Sequence, residues 1–557
     1  MKHEIATLRI LLLIATMVTV LVPACAPREA PAPNSGGGQV RITLNQEPDN
    51  LNPYYTSLRA ANTVMQTIFN GLWVVDQNGE FQPELAAEVP TLQNGGVSPD
   101  GRTITVRLRP NVQWADGRPV TAADVQFTWE AVMSPTNTTL GKSTYGKVGA
   151  VSVQDDLTVQ LVMNEVFGGY PTLFSYPQGI LPKHAFGGVA DINRAEFNRK
   201  PFGTGPYRVT EWSAASHIAL EANPNYFKGK PALSRVIFRI APDKNTQLAQ
   251  VRANETDVAV DLAESDAVEV EKIAGWRTLA VAGLTSDRLF LNLAERGVAD
   301  GSRPHAILGD RRVRQALQAA IDKQQIVDRV LFGKTKVATA EYPIGLWAPN
   351  LPPSPYDPEV AKRLLDEAGW RAGTNGIREK DGRPLKLTIA STTGNRLRED
   401  TEQLIQASWK PLGIELEIKN VAAAVLVGEW SANGLVARGD FDIAYYGFTP
   451  GIDPRTSISD QFHSQDIPRE ENQGDGNNGM RYRDPQVDSW IREADATLDL
   501  TQRKQLYDNV MRQVAEDVPI IYLYNRANVE AVSQRVQNAQ SHPFRWLTWN
   551  IHEWTLG

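Results

Sequence analysis

A helix pattern followed by a short turn and a strand pattern occurs twice in the C-terminal third of the chain. Residues 401–410 form the first helix pattern, and the alternating strand run 414–418 follows it after a glycine turn. Residues 502–516 and 520–524 repeat this order around a proline. Helix-then-strand units with short turns are typical of α/β folds. The sequence therefore predicts an α/β protein.

Further strand and helix patterns lie earlier in the chain. Alternating apolar and polar residues predict strands at 40–44, 103–108 and 157–162. Capping residues and apolar spacing predict helices from Thr121 to near Pro135, at 311–320, from Asp322 to Gly333, and from Asp357 to Gly369. Residues 468–479 are rich in Glu, Asn, Asp and Gly, so we predict a solvated loop there.

The length and charge of the chain limit the classes of protein it can belong to. A chain of 557 residues is longer than one hydrophobic core usually organises, so we expect two or three domains. The formal net charge is -7, and no segment concentrates the 57 basic residues. These properties exclude nucleic acid as an expected partner.

The N-terminus has the pattern of an export signal. Lys2 and Arg9 form a short basic head, and residues 10–24 are an almost unbroken apolar run. This run is the length of a secretory signal core and short for a membrane span. We therefore predict a signal peptide at 1–24 and export of the remaining chain.

Cys25 is the single cysteine of the chain and follows this signal. It cannot form an intramolecular disulfide. The residues Val22-Pro-Ala-Cys25 resemble a bacterial lipobox, in which the cysteine is diacylated and becomes the new N-terminus. Two acyl chains anchor a protein stably to a membrane. We predict that Cys25 is lipidated and that residues 25–38, rich in Ala, Pro and Gly, form the tether.

Sequence motifs for catalysis, metals and cofactors are missing. The triplets Gly141-Lys-Ser143 and Gly333-Lys-Thr335 lack the upstream glycine of a phosphate loop, and Gly203-Thr-Gly205 has Arg208 where a dinucleotide fingerprint needs a third glycine. The seven histidines are scattered singly. We expect neither an enzyme nor a bound cofactor or metal.

Nine short motifs, distributed in order along the chain, resemble one known family. They are 47–53 (EPDNLNP), 83–86 (PELA), 98–109 (SPDGRTITVRLR), 114–125 (WADGRPVTAADV), 203–208 (GTGPYR), 289–292 (LFLN), 310–322, 361–369 (AKRLLDEAG) and 517–519 (DVP). Together they resemble the extracellular solute-binding proteins of peptide/nickel-type ABC importers, family 5, which include oligopeptide- and dipeptide-binding proteins.

The resemblance implies a fold and a set of partners. The implied fold is the type II periplasmic-binding-protein fold, with two lobes that close over the ligand at a hinge, plus an inserted third domain. It places lobe I at 39–80, 203–303 and 521–557, the inserted domain II at 81–202 and lobe III at 304–520. The implied partners are the permease and ATPase subunits of an importer. We expect a monomer at the cell membrane, facing the periplasm or the extracellular space.

The resemblance also indicates where ligand would bind. Peptide binders of the family carry an aspartate that meets the peptide ammonium, and here Pro450 or Gly451 occupies that place. Asp453 lies two residues further on and could substitute for it. Tyr445 stands where an arginine can serve binders of long peptides. A buried ammonium without a partner would cost about 3 to 5 kcal/mol, so peptide capture by the usual route requires such a substitute.

The candidate ligand-binding residues include several aromatic side chains that could line a cleft. They are Asn292, Trp430, Arg438, Tyr445, Tyr446, Phe448, Asp453, Tyr522 and Tyr524. Capture of peptide-like ligands in a cleft between the two lobes is the leading interpretation. The alternative is an oligosaccharide or another neutral solute bound by the same fold, since stacked aromatic rings suit both ligand classes.

Overall fold

The computed structural model describes residues 37–187, 191–373 and 375–557. The predicted signal peptide, Cys25 and all but the last two residues of the tether lie outside the described residues. The strands are β1 (Gln39–Leu44), β2 (Trp73–Val75), β3 (Phe81–Pro83), β4 (Thr103–Arg107), β5 (Val148–Asp155), β6 (Thr158–Met163), β7 (Tyr207–Ser213), β8 (His217–Ala222), β9 (Arg235–Ile240), β10 (Val258–Leu262), β11 (Trp276–Leu291), β12 (Arg371–Ala372), β13 (Arg378–Lys380), β14 (Arg383–Pro384), β15 (Lys386–Ala390), β16 (Glu415–Ile418), β17 (Ile443–Phe448), β18 (Ile520–Ser533), β19 (Val536–Gln537) and β20 (Thr555–Leu556).

Helices alternate with these strands along much of the chain. They are α1 (Arg59–Met65), α2 (Ala122–Met133), α3 (Lys142–Tyr145), α4 (Lys244–Arg252), α5 (Glu264–Val270), α6 (Arg311–Ala319), α7 (Lys323–Val330), α8 (Pro358–Glu367), α9 (Arg396–Trp409), α10 (Ala423–Leu426), α11 (Leu435–Arg438), α12 (Ile458–Phe462), α13 (Pro485–Ala496) and α14 (Leu500–Asp517). Single 3₁₀ turns include Trp430–Ala432, Pro454–Thr456, Ser464–Asp466 and Glu470–Asn472. The mixture confirms the predicted α/β class.

Ten strands form one mixed sheet in the order β16-β15-β17-β11-β18-β10-β1-β9-β8-β7. Two long antiparallel strands, β11 and β18, form its centre. The first half of β11 pairs only with β18, whereas residues 286–291 also pair with β17. Strand β18 continues on the other side to pair with β10. The chain therefore crosses between the two halves of the sheet twice, once within β11 and once within β18.

Local capping chemistry explains where the predicted helices begin and end. Asp124 accepts a hydrogen bond from the backbone N–H of Thr121 at 2.9 Å, which starts α2. Asp357 accepts one from Val360 N–H at 2.9 Å, and Gly369 ends α8 with φ +88°. The helix predicted at 401–410 begins earlier, at Arg396, because Asn395 caps it through Arg398 N–H.

Apolar cores lie on both faces of the sheet. Successive residues of β17 alternate between two of them, with Ile443 in one core and Ala444 in the other. The largest core joins β1 and β9 to the small sheet β4-β6-β5 and to the C-terminal tail. Trp114 and Trp554 are both part of this core. We keep the limits of lobe I, the inserted domain and lobe III given above as a proposal.

The described part of the chain contains no helix with the length and apolar character needed to span a bilayer.

Candidate functional site

The candidate site is a cavity of about 910 Å³ beside the carboxyl end of β17. Its walls come from strand side chains of β11 and β17, from residues 427–437, from residues between 460 and 466, and from the loop 468–479. Three of the predicted ligand-binding residues line it, namely Trp430, Tyr446 and Phe448. Cavities of about 300 to 1,000 Å³ with aromatic walls are typical of small-ligand sites.

The alternation of β17 decides which aromatic rings reach the cavity. Adjacent residues of a strand point to opposite faces, so Tyr446 and Phe448 share one face and Tyr445 takes the other. Tyr446 stacks on Phe290 of the neighbouring strand, with ring centroids 4.2 Å apart and an angle of 12° between the planes. Phe290 is a lining residue that the sequence reasoning missed.

Tyr445 points away from the cavity, into the apolar core on the opposite face of the sheet. It is fully buried, and its hydroxyl lies 2.6 Å from that of Tyr524, which is also fully buried. Neither residue lines the cavity. Both belong to the apolar core beside α7 and α9, where burial raises the pKa of each hydroxyl well above its usual range. Their position indicates a structural role.

Trp430 is held between Arg438 and the loop 468–479. The Arg438 guanidinium lies 3.7 Å from the centre of the Trp430 ring, and its Nε donates a hydrogen bond to Trp430 O at 3.1 Å. On the loop side, a Cβ at Gly474 would lie 2.1 Å from Trp430 Cβ. Gly474 has φ +80°, which favours glycine. Arg438 therefore supports Trp430 and does not itself line the cavity.

A buried ion pair lies behind the aromatic wall. Arg288 and Glu341 are both fully buried and form a salt bridge. Ser286 Oγ accepts hydrogen bonds from Arg288 Nε and Nη2 at 3.0 and 2.7 Å. The Arg288 guanidinium also lies 5.1 Å from the centre of the Phe448 ring. This pair positions the strand face that carries Phe290 and Phe448.

Tyr522 and Asn292 contribute to the support of the site. Tyr522 donates a hydrogen bond to Glu341 Oε2 at 3.2 Å, and its ring centre is 4.8 Å from the Arg288 guanidinium. Asn292 is fully buried, and its Nδ2 donates to the carbonyl oxygens of Gly439 and Phe441, each at 2.9 Å. All of these polar atoms bond within the fold, and neither residue lines the cavity.

Asp453 is engaged in a second buried ion pair. Both of its carboxylate oxygens accept hydrogen bonds from Arg503, at 2.6 and 2.7 Å. Oδ1 also accepts from Arg455 N–H at 3.0 Å. The side chains of Asp453 and Arg503 are only 5% and 3% exposed. This carboxylate is already neutralised, so it is not available to substitute for the missing ammonium partner.

Two other aspartates face the cavity without partners. Asp460 and Asp466 line it, and neither carboxylate forms a hydrogen bond or ion pair with any described residue. Burial, followed by repulsion from Asp495, raises the pKa of Asp460 to about 6. Burial, followed by repulsion from Asp460, raises the pKa of Asp466 to about 6. The sequence reasoning missed both residues.

The loop 468–479 differs from the sequence expectation in its role. Pro468, Asn472, Gly474, Asp475 and Gly479 all line the cavity, so the loop forms one of its walls. Its polar composition predicted a solvated loop, and Asp475 is indeed exposed. Gly474 lies close to Trp430 and Gly476 lies close to Asp466, and both glycines have positive φ. These two glycines are the feature of the sequence that could have indicated the close approach.

A larger cavity, of about 1,010 Å³, lies between α4–α5 on one side and α7–α9 on the other. Phe332 is the single aromatic residue among the described residues that line it. Much of its charge is paired, since Arg526 bonds to both oxygens of Glu264 at 2.8 and 3.0 Å. The aromatic cavity has more aromatic lining residues and two unpaired carboxylates, so we consider it the better candidate.

Within the described residues, no group of three or more His, Cys, Asp or Glu side chains is arranged to hold a metal ion.

Comparison with known proteins identifies a family and several related chains. The family model described as "Bacterial extracellular solute-binding proteins, family 5 Middle" matches residues 80–468. The oligopeptide-binding protein AppA of Bacillus subtilis (strain 168) is 30% identical over 539 residues, which cover 95% of this chain and 94% of AppA. The glutathione-binding protein GsiB of Pectobacterium atrosepticum is 24% identical over 489 residues, covering 87% and 88%.

Solved structures show the same similarity. AppA from Bacillus subtilis in complex with a nonapeptide superposes with a TM-score of 0.69 at 29% identity, covering 94% of this chain and 99% of AppA. NikZ from Campylobacter jejuni in complex with Ni(L-His) gives a TM-score of 0.71 at 24% identity, covering 93% and 99%. The second likeness concerns the fold alone.

Proposed function

The chain belongs to the bacterial extracellular solute-binding proteins of family 5, and from this we propose that it captures peptides in the aromatic cavity and delivers them to an ABC importer. The family confirms the predicted fold class, that of the two-lobed type II binding proteins. It also identifies the chain as a solute-binding component and not an enzyme.

The cavity is the observation that carries the peptide proposal. It combines the aromatic side chains of Trp430, Tyr446 and Phe448 with unpaired acceptors, which suit an extended backbone and its N–H groups. The relative AppA, at 30% identity over nearly the whole chain, is an oligopeptide-binding protein. Capture in this cavity does not require Asp453, because unpaired carboxylates lie on the cavity wall itself.

A thermal-shift screen tests the ligand class. The ligands are short peptides of three, five and nine residues, and cello-, xylo- and manno-oligosaccharides. A ligand that binds only the folded state raises the unfolding midpoint. We expect peptides to raise it and the sugars to leave it unchanged. Stabilisation by a sugar and by none of the peptides would favour the neutral-solute alternative and contradict the proposal.

Trp430→Ala is expected to weaken binding of the best peptide about 10- to 100-fold, because the truncated residue loses its stacking surface. The dissociation constant is measured by calorimetric titration. Trp212→Ala is the matched control, since Trp212 is a half-buried tryptophan on the edge strand β7. Equal affinities of the Trp430 variant and the wild type would place the ligand elsewhere.

We further propose that Cys25 anchors the protein to the membrane through its acyl chains and that residues 25–38 connect it to the receptor domains. The lipobox pattern Val22-Pro-Ala-Cys25 and the export signal before it support this proposal. The protein would then act as a monomer beside its permease and ATPase partners, facing the periplasm or the extracellular space.

Cys25→Ser should move the protein from the membrane fraction to the soluble fraction, because the acylation site is lost. Fractionation of cells and incorporation of labelled fatty acid measure this change. Peptide affinity should be unchanged, since Cys25 lies before the receptor domains. A Cys25→Ser protein that stays in the membrane fraction would show that another segment anchors it.

A further inference from the structure

The charge on the cavity wall is of one sign. Four carboxylate residues line the cavity, namely Glu429, Asp460, Asp466 and Asp475. Among the described residues, no lysine or arginine lines it, and the nearby Arg438 is turned toward Trp430. One α-ammonium group would compensate only part of this charge. The wall therefore favours a ligand with more than one positive charge.

A buried amide on the same wall carries an unpaired acceptor. Gln461 is 1% exposed and lines the cavity. Its Nε2 donates hydrogen bonds to Glu341 Oε1 at 3.0 Å and to Ser457 O at 3.3 Å. Its Oε1 has no hydrogen-bond partner among the described residues. A buried acceptor without a partner is costly, so a ligand donor that reached this atom would be stabilised by it.

Asp460 and Asp466 lie where two cavities meet. Both line the main cavity and also an adjoining cavity of about 440 Å³, which includes Glu165 and Arg455. Arg455 is 3.5 Å from Glu165 and forms no ion pair with either aspartate. The two carboxylates are thus accessible from the cavity, and Arg455, whose charge lowers the pKa of both, forms an ion pair with neither.

We propose that the cavity selects peptides with a lysine or arginine side chain, and that Asp460 and Asp466, assisted by Gln461 Oε1, bind the side-chain cation. This inference rests on the proposed peptide-binding function and specifies its substrate class. An ammonium or guanidinium group supplies only donors, which complements a wall of acceptors. It also removes the repulsion between the two aspartates.

The test compares peptides that differ only in one charge. Calorimetric titrations use an Ala/Ser peptide of the best-bound length with one lysine, the same peptide with Nε-acetyl-lysine, and spermidine. We expect the wild-type protein to bind the lysine peptide at least about 10-fold more tightly than the acetylated one. Equal affinities for the two peptides would overturn the cation subsite and leave peptide binding intact.

Substitutions of the two aspartates test whether they cause the preference for the lysine peptide. The double variant Asp460→Asn with Asp466→Asn should lose the preference for lysine and keep its affinity for the acetylated peptide within about 2-fold. Asp156→Asn, an exposed aspartate on the hairpin between β5 and β6, is the matched control and should keep the preference. A lysine preference that persists in the double variant would refute the assignment.

A stability readout separates misfolding from loss of the subsite. Because the two aspartates repel each other in the free protein, the double variant should unfold at a temperature equal to or higher than the wild type without ligand. A lower unfolding temperature would contradict the assignment of the two carboxylates as unpaired. Binding of spermidine together with no binding of any peptide would support the cation subsite and overturn the proposed function.

Discussion

Glu341→Ala is expected to lower the free energy of unfolding by about 3 to 5 kcal/mol, because Arg288 would remain buried without a counter-charge. Both side chains of this pair are 0% exposed. Glu341 also accepts hydrogen bonds from Gln461 and Tyr522, which lose their acceptor in the variant. Urea unfolding followed by tryptophan fluorescence measures the change.

Two comparisons make the Glu341 result specific. Glu359→Ala removes a carboxylate from an exposed i,i+3 pair with Lys362 on α8 and should change stability by less than about 0.5 kcal/mol. The double variant Arg288→Met with Glu341→Leu removes both charges and should regain most of the lost stability. A Glu341→Ala protein as stable as Glu359→Ala would show that Arg288 is not buried as described.

The contribution of Glu402 to stability is expected to fall as the pH rises from about 4.5 to 7. Glu402 is 0% exposed, its Oε2 accepts a hydrogen bond from Asn420 at 2.8 Å, and its Oε1 has no partner among the described residues. Burial raises its pKa from the ordinary value of 4.5 to about 7. Glu530, which is 3% exposed, has its pKa raised to about 7, again mainly by burial.

The sign follows from proton binding. Between these two pKa values the folded protein keeps a proton on Glu402 that the unfolded chain releases, so rising pH favours unfolding. A difference between 4.5 and about 7 corresponds to roughly 3 kcal/mol for such a group. Above about pH 7 the folded carboxyl is ionised too, and the loss is complete.

Unfolding midpoints in urea, measured from about pH 5 to pH 8, test this dependence. Relative to the wild type, Glu402→Gln should gain stability as the pH rises, since the amide does not ionise, and the gain should be largest at the alkaline end. Glu130→Gln changes an exposed residue of α2 and should leave the curve unchanged. The prediction for Glu402 fails if the slope of the Glu402→Gln protein equals that of the wild type.

Elements determined by local chemistry could be predicted from the sequence. The start of α8 at Asp357 and Pro358 and its end at Gly369 depend on neighbouring residues alone. The same holds for α2 and for the strand β1. In contrast, β18 was predicted to end at Tyr524 and extends to Ser533. Its second half carries Arg526 and Glu530, whose partners Glu264 and Arg59 are remote in sequence.

The candidate site was less predictable because it depends on which face each side chain takes. Tyr445 and Tyr446 are adjacent, and composition cannot show which of them faces the cavity. Tyr522 and Tyr524 would share a face in a regular strand. A shift in the register between β11 and β18, at Asp287 and Arg288, turns one toward Glu341 and the other toward Tyr445.

The remaining differences between the predicted and the observed site concern the ion-pair partners of acidic residues. Asp453 was a candidate for binding an ammonium group, and its partner Arg503 lies 50 residues away. Asp460 and Asp466 carry no motif, so their lack of partners becomes visible only in the folded chain. Family resemblance identified the region of the cavity through Trp430, Tyr446 and Phe448, and the structure adds the carboxylates.

A crystal structure of the protein with a bound lysine-containing peptide tests the central claim most directly. The predicted result is peptide density against Trp430, Tyr446 and Phe448, with the lysine ammonium within hydrogen-bond distance of Asp460 or Asp466. Peptide density in the larger cavity beside Glu264 and Arg526, with the aromatic cavity empty, would contradict it.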